Sequence, residues 1–109
     1  MTHHHRLILL AFASAALTAY GADAATNWTD SCAKCHGADG KGDTKMGKKL
    51  SIADLTDAKT QAKFTDEEAF KSIKFGRTDE SGKTTMKAVE GLSDEDIKAL
   101  VAHVRTLKK

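Results

Sequence analysis

The feature that most constrains this chain is the segment Cys-Ala-Lys-Cys-His at residues 32–36, which holds both of its cysteines. A spacing of three residues places two side chains on neighbouring positions of one helix face. The histidine that follows the second cysteine adds a nitrogen donor to the two thiols. Any fold of this chain must therefore bring two sulfur atoms and one imidazole into a single small region.

Four kinds of site use two cysteines this close together. Cys-X-X-Cys-His is the pattern of covalent haem attachment, and it assigns attachment to Cys32 and Cys35 and iron binding to His36. A structural zinc site needs four ligands, and after residue 24 only His103 is left as a further histidine. A thioredoxin-like pair expects a βαβ context, and a disulfide closing so short a loop would be strained and stabilise little. The pattern favours haem.

The N-terminal segment differs in character from the rest of the chain. A short basic stretch precedes residues 7–20, which carry no charge, and small residues follow at Ala22 and Ala24. This order is typical of a secretory signal, and the apolar stretch is shorter than the roughly 20 residues that span a bilayer. We therefore predict a signal peptide over residues 1–24 and a periplasmic domain over residues 25–109 with no membrane span; an uncleaved anchor is the alternative.

Composition limits what the domain can do and how it can fold. The 109 residues indicate one domain, and a net charge of +2 is too small to suggest nucleic-acid binding. A domain of this size buries a smaller fraction of its unfolded surface than a larger domain does, and few aromatic residues are available after residue 24. These are Trp28, Phe64, Phe70 and Phe75. We expect a bound group to complete the core.

Three segments have helical patterns, whereas alternating strand patterns are absent. The last begins after Ser93, whose hydroxyl can cap it, and its apolar residues recur at spacings of three and four. Those residues are Ile97, Leu100, Val101, Val104 and Leu107. A second helix is predicted over about residues 66–75, with Thr65 and Glu68 at capping-box spacing, and a third over about residues 26–34. The predicted fold is all-α, with three to four helices and long loops.

These segments together resemble the class I monohaem c-type cytochromes, from Trp28 to the C-terminus. "WTDSCAKCHGADGKGD" resembles their first helix, haem motif and glycine loop, "FTDEEAFKSIKFGR" their middle helix, and "MKAVEGLSDEDIKALVAHVRTL" their distal methionine and last helix. The resemblance implies a small cytochrome c fold around one covalent haem c and its iron, with Trp28 meeting the last helix near Leu100 and Val104. Leu50, Leu55, Phe64, Phe70 and Phe75 are expected in the core around the haem.

The resemblance also implies a methionine as the second axial ligand of the iron. Met86 stands on the loop before the last helix, where the family carries this ligand, and a Met/His pair raises the reduction potential. Met46 in the glycine loop is the competitor, and His103 is a third candidate. The chain lacks the two family prolines that flank these ligands; Lys48 takes the place of the first, and its carbonyl could serve the His36 N–H equally well.

The function implied by this resemblance is electron transfer without catalysis. We expect a soluble, monomeric, monohaem carrier that shuttles single electrons between periplasmic partners such as a reductase or an oxidase. A basic patch near the haem edge would steer a partner with an acidic docking surface; the alternative is that these lysines form an ordinary solvated surface. Its lysines are Lys41, Lys45, Lys48, Lys49, Lys83 and Lys87. The alternative is a five-coordinate haem c enzyme or sensor with an open distal site.

Overall fold

The computed structural model describes residues 23–109 of the chain. The predicted signal segment therefore lies outside the described residues, apart from its last two positions. Within residues 23–109, no helix combines the length and the apolar character that a membrane crossing requires.

The described part is mainly helical, as predicted, with a small sheet that the sequence patterns did not indicate. The helices are α1 Ala24–Ser31, α2 Ala33–His36, α3 Lys45–Lys49, α4 Ala58–Gln61, α5 Asp66–Phe75 and α6 Asp94–Thr106. Two short antiparallel strands, β1 Arg77–Thr78 and β2 Thr84–Met86, form a hairpin between α5 and α6. In this hairpin Arg77 pairs with Met86 and Thr78 with Thr84.

The predicted starts of α5 and α6 are confirmed at the level of individual hydrogen bonds. The Glu68 N–H donates to the Thr65 hydroxyl at 3.1 Å, and the Thr65 N–H donates to the Glu68 carboxylate at 3.2 Å. Ser93 and Asp96 form the same reciprocal pair at the start of α6, at 3.1 and 3.2 Å. Such boxes satisfy N–H groups that have no partner within the helix, and α5 ends at Phe75, the predicted boundary.

The first predicted helix is divided into two at Cys32. Helix α1 ends at Ser31, and the Cys32 carbonyl accepts hydrogen bonds from both Cys35 N–H (3.2 Å) and His36 N–H (2.9 Å). The chain thereby turns more tightly and continues as α2. The start of α1 also differs from the prediction, since Asp23 caps it by accepting a 2.8 Å hydrogen bond from Thr26 N–H.

The core lies where α1 contacts α6. Its buried apolar residues are Trp28, Cys32, Leu55, Ile73, Ile97, Leu100, Val101 and Val104, and we call them the core cluster. The predicted meeting of Trp28 with the Leu100 and Val104 region of α6 is therefore confirmed. Phe64 and Phe70 pack against the core cluster, but Phe75 is 70% exposed. Phe75 therefore does not join the protein core, and its expected contact with the haem stays a prediction.

Arg105 holds α6 against the chain that leads into α5. Its guanidinium donates to the Gln61 carbonyl (2.6 Å), the Gln61 side-chain oxygen (2.8 Å), the Phe64 carbonyl (2.8 Å) and Asp66 (2.8 Å). The buried Gln61 amide donates in turn to the Val104 carbonyl at 2.8 Å. This network satisfies polar groups that would otherwise be costly to bury.

Candidate haem-binding site

The two cysteines lie on one turn of chain and are both free thiols. Cys32 belongs to the core cluster, and Cys35 is half-buried. Burial raises the pKa of the Cys32 thiol to about 11, with a further contribution from the neighbouring Cys35. A reactive redox cysteine needs a lowered pKa, so the raised pKa of Cys32 does not favour a thioredoxin-like redox pair.

The glycine loop after His36 folds directly onto the backbone of this turn. The Gly42 N–H donates to the His36 carbonyl at 2.7 Å. The Thr44 hydroxyl donates to the Cys35 carbonyl at 2.6 Å and accepts from Gly47 N–H at 2.8 Å, which also caps α3. A Cβ on Gly47 would overlap the Gly42 carbonyl oxygen and lie 2.7 Å from that of Cys35. The loop therefore packs on the backbone of the turn that carries Cys35 and His36.

His36 packs against the indole ring of Trp28. The two ring centroids are 5.7 Å apart, and the Trp28 N–H donates to the Gly37 carbonyl at 3.0 Å, which anchors the indole beside the histidine. His103 lies 5.3 Å from the same indole and thus has the packing role of an aromatic residue. Burial lowers the pKa of His36, so its imidazole is neutral at neutral pH, and the neutral imidazole is the form that binds a metal.

One feature of His36 departs from a typical ligand site. Its Nδ1 atom is buried and has no hydrogen-bond partner among the described residues. An imidazole that ligates a metal commonly donates its second N–H to a carbonyl or carboxylate. The Lys48 carbonyl, which we expected to serve, accepts a 3.3 Å hydrogen bond from Ser51 N–H instead. The orientation of the His36 ring thus depends on packing against Trp28.

The structure separates the two candidate methionines. Met86 ends strand β2, is half-buried, and packs against the core cluster, which contains Cys32. Met46 lies in α3 and is not among the side chains of residues 23–109 that pack against this cluster. A cleft of about 570 Å³ opens beside Met86. Its lining residues are Phe75, Arg77, Thr78, Thr84, Met86, Lys87, Ala88 and Glu90, so it does not reach the cysteines or His36.

The described residues fit a haem better than a zinc ion. Within residues 23–109, no group of three or more His, Cys, Asp or Glu side chains is placed to hold a metal ion, whereas a structural zinc site requires four ligands. A haem needs two unpaired thiols, one neutral imidazole and a second axial donor, and Cys32, Cys35, His36 and Met86 are available for these roles. The unpartnered Nδ1 of His36 is the one element that does not match.

Comparison with known proteins identifies the family. The family model for cytochrome c matches residues 21–108. The chain belongs to the cytochrome c family. Two solved structures are similar in both sequence and fold: one described as the KustC0563 c-type cytochrome, 35% identical with a TM-score of 0.69, and a mutant of that protein, 34% identical with a TM-score of 0.66. They cover 81% and 80% of this chain, and the whole of their own chains. A search of curated proteins found no match.

Membership of the cytochrome c family establishes the broad nature of the site. The protein is a class I monohaem cytochrome c with the all-α fold of that family, and it carries covalently attached haem c with its iron. It is a haem-binding electron carrier.

The sequence did not indicate the contacts that three further residues make with the attachment turn. These residues are Thr44, Gly47 and Trp28. Thr44 had a local signal, because threonine is a preferred helix cap; the contacts themselves depend on the fold.

Proposed function

We propose that this cytochrome c shuttles single electrons through a haem attached to Cys32 and Cys35, with His36 and Met86 as the axial ligands. The observation that carries the choice of methionine is the packing of Met86, but not Met46, against the core cluster that contains Cys32. A soft thioether and an imidazole are a ligand pair that cytochromes c use to raise the reduction potential of haem iron.

The residues of the chain would suit electron transfer because they would close the haem site to substrates rather than leave it open. When bound, the haem supplies a one-electron couple between ferric and ferrous iron. His36 on one side and Met86 on the other would leave no free coordination position for a substrate. The core cluster would exclude water from the haem face. The protein is thus proposed as a carrier, and not as an enzyme.

The ligand assignment is tested by replacing each methionine in turn. Ferric Met/His haem has a weak near-infrared band that arises from charge transfer between sulfur and iron. We expect Met86→Ala to abolish this band and to lower the reduction potential, because the soft ligand is lost. Met46→Ala is the matched control and should leave both unchanged. If the band survives in Met86→Ala and disappears in Met46→Ala, the assignment is wrong.

A second candidate function is favoured by the cleft beside Met86. This cleft is open to solvent and lined in part by the exposed hairpin, so displacement of Met86 would give a small ligand access to the distal side. The protein would then be a five-coordinate haem c enzyme or sensor. Tight carbon monoxide binding by the unmodified ferrous protein, with no near-infrared band in its ferric form, would support this function over the carrier.

The six lysines of the predicted basic patch are all exposed. Lys48 pairs with Asp43 at 3.1 Å, but both side chains are more than 70% exposed, so this pair contributes little. We propose that the patch attracts an acidic redox partner, since exposed charges accelerate association at low ionic strength. Lys83→Gln and Lys87→Gln should then slow electron transfer to an acidic partner and flatten its salt dependence. A rate that is insensitive to salt in the unmodified protein would contradict this part of the proposal.

The proposed domain division places a signal peptide at residues 1–24, a haem domain at residues 25–109 and the protein in the periplasm. Cleavage after Ala24 would remove Asp23, and with it the hydrogen bond that caps α1. The exported protein would begin α1 with the amino group of Ala25. The intact mass of the exported holoprotein tests the division: a mass that includes residues 1–24 would contradict it.

A further inference from the structure

Gly76 lies in close contact with the segment that carries Met86. It ends α5 with backbone angles φ 78° and ψ −177°, and its N–H donates to the Ser72 carbonyl at 2.9 Å. A Cβ at this position would lie 2.7 Å from the Met86 carbonyl oxygen and 2.8 Å from the Ala88 nitrogen. Both contacts are with backbone atoms, so no side-chain rotation could relieve them. Only glycine allows the two segments to approach this closely.

Further interactions hold the same segment against α5. The Val89 N–H donates to the Ile73 carbonyl in the last turn of α5 at 2.9 Å. In the hairpin, Arg77 is the partner of Met86 in the strand register. Met86 is therefore held by its own strand pairing and, three residues later, by the hydrogen bond of Val89. The residue after Met86 is a lysine, so a proline ring does not stiffen this segment.

We propose that Gly76 is a positioning residue for Met86. Because it has no side chain, the backbone of residues 86–88 lies directly on the end of α5, and this contact sets the depth at which the Met86 thioether meets the core cluster. The inference rests on the proposed role of Met86 as the distal ligand. According to this inference, Met86 is placed by the backbone contact with Gly76, a residue that is distant in sequence from both the last helix and the haem-attachment turn.

A second glycine in the same hairpin provides a matched control. Gly82 lies at the hairpin tip with φ 85°, and a Cβ there would have no heavy atom within 4 Å. Positive φ disfavours alanine at both positions. Only at Gly76 would the new Cβ also meet the backbone beside Met86. A larger effect of Gly76→Ala than of Gly82→Ala would therefore reflect the close backbone contact, because positive φ is common to both positions.

The test compares Gly76→Ala and Gly82→Ala as haem-loaded ferric proteins. We expect Gly76→Ala to lose most of the near-infrared sulfur-to-iron band per haem and to show a lower reduction potential, at unchanged haem content and far-ultraviolet circular dichroism. Gly82→Ala should keep the band and the potential of the unmodified protein, even if its melting temperature falls. A purely structural role for Gly76 would change the melting temperature without changing the band.

The outcomes separate this inference from the proposed function. If the unmodified protein has no such band, Met86 ligation itself fails. If it has the band and Gly76→Ala retains it, only the inference about Gly76 is overturned. A second pair, Gly76→Asn and Gly82→Asn, carries the same Cβ on a different side chain, and the same contrast is expected. If neither Gly76 variant retains haem while both Gly82 variants do, Gly76 is required for folding and the inference is overturned.

Discussion

The hydroxyl of Thr44 makes two hydrogen bonds that connect the glycine loop to the haem-attachment turn, and its removal has a predictable cost. Thr44→Val keeps the shape of the side chain and deletes only the hydroxyl. The variant loses the 2.8 Å hydrogen bond that caps α3 and the 2.6 Å hydrogen bond to the Cys35 carbonyl. Thr44→Ser is the control, because it keeps both hydrogen bonds and loses only a methyl group.

The expected destabilisation is the sum of two ordinary effects. Loss of a helix N-cap costs about 1 kcal/mol, and loss of a part-buried hydrogen bond to a carbonyl costs about another 1 kcal/mol. Thr44→Val should therefore lower the free energy of unfolding by about 2 kcal/mol. For a domain of this size, that corresponds to a fall in melting temperature of about 8–16 °C. Thr44→Ser should lose less than half as much.

The assay is urea unfolding of the haem-loaded proteins, followed by circular dichroism and by Soret absorbance. Both signals should move to a lower midpoint in Thr44→Val with an unchanged slope, since the surface exposed on unfolding is the same. The reasoning is refuted if Thr44→Val unfolds within about 0.5 kcal/mol of the unmodified protein, the range of an ordinary surface substitution. It is equally refuted if Thr44→Ser is as unstable as Thr44→Val, because the hydroxyl would then be irrelevant.

Two further predictions concern the α6 network and the hairpin tip. Arg105→Met should lower the free energy of unfolding by about 3 kcal/mol, because it leaves buried acceptors without donors. Asp66→Ala should lower it by less than about 1 kcal/mol, because Asp66 is 72% exposed; equal losses in urea unfolding would contradict this. Hydrogen bonds from Ser81 and Lys83 lower the pKa of Asp79 below its ordinary 3.8, so its contribution is present above that value and is lost as the pH falls through the lowered pKa. The protection of the Ser81 and Lys83 amides relative to their intrinsic exchange rates should fall in acid, and Asp79→Asn should abolish that pH dependence; an unchanged pH profile of the protection would contradict it.

Local signals predicted α5 and α6 correctly because their starts depend on residues three positions apart. Thr65 with Glu68 and Ser93 with Asp96 form their capping pairs within one turn of chain, so no distant contact is needed to specify them. The single helix predicted over about residues 26–34 was not observed, because the turn at Cys32 is tighter than helical periodicity can indicate. The hairpin was missed because its strands have only two and three residues, too few to show alternation.

In the candidate site, too, some residues were predictable from local sequence and others were not. Spacing alone indicated Cys32, Cys35 and His36, since attachment to one group requires donors that are adjacent in sequence. The proposed choice of Met86 over Met46 rests on resemblance and on the packing of Met86, which the sequence could not show because both are isolated methionines in loop-like sequence. The missing acceptor for His36 Nδ1 was also not predictable, because the direction of the Lys48 carbonyl depends on how α3 ends.

By itself, the order of residues along this chain determined the chemistry that is available: two thiols and an imidazole on one turn, and helices whose ends are capped by near neighbours. Tertiary structure alone decided which distant groups meet that turn, including the Thr44 hydroxyl on the Cys35 carbonyl and the backbone of Met86 on Gly76. The physical reason is the distance along the chain over which each interaction acts. Helix capping and ligand spacing involve residues within one turn, whereas packing brings together distant segments whose approach is set by the whole fold.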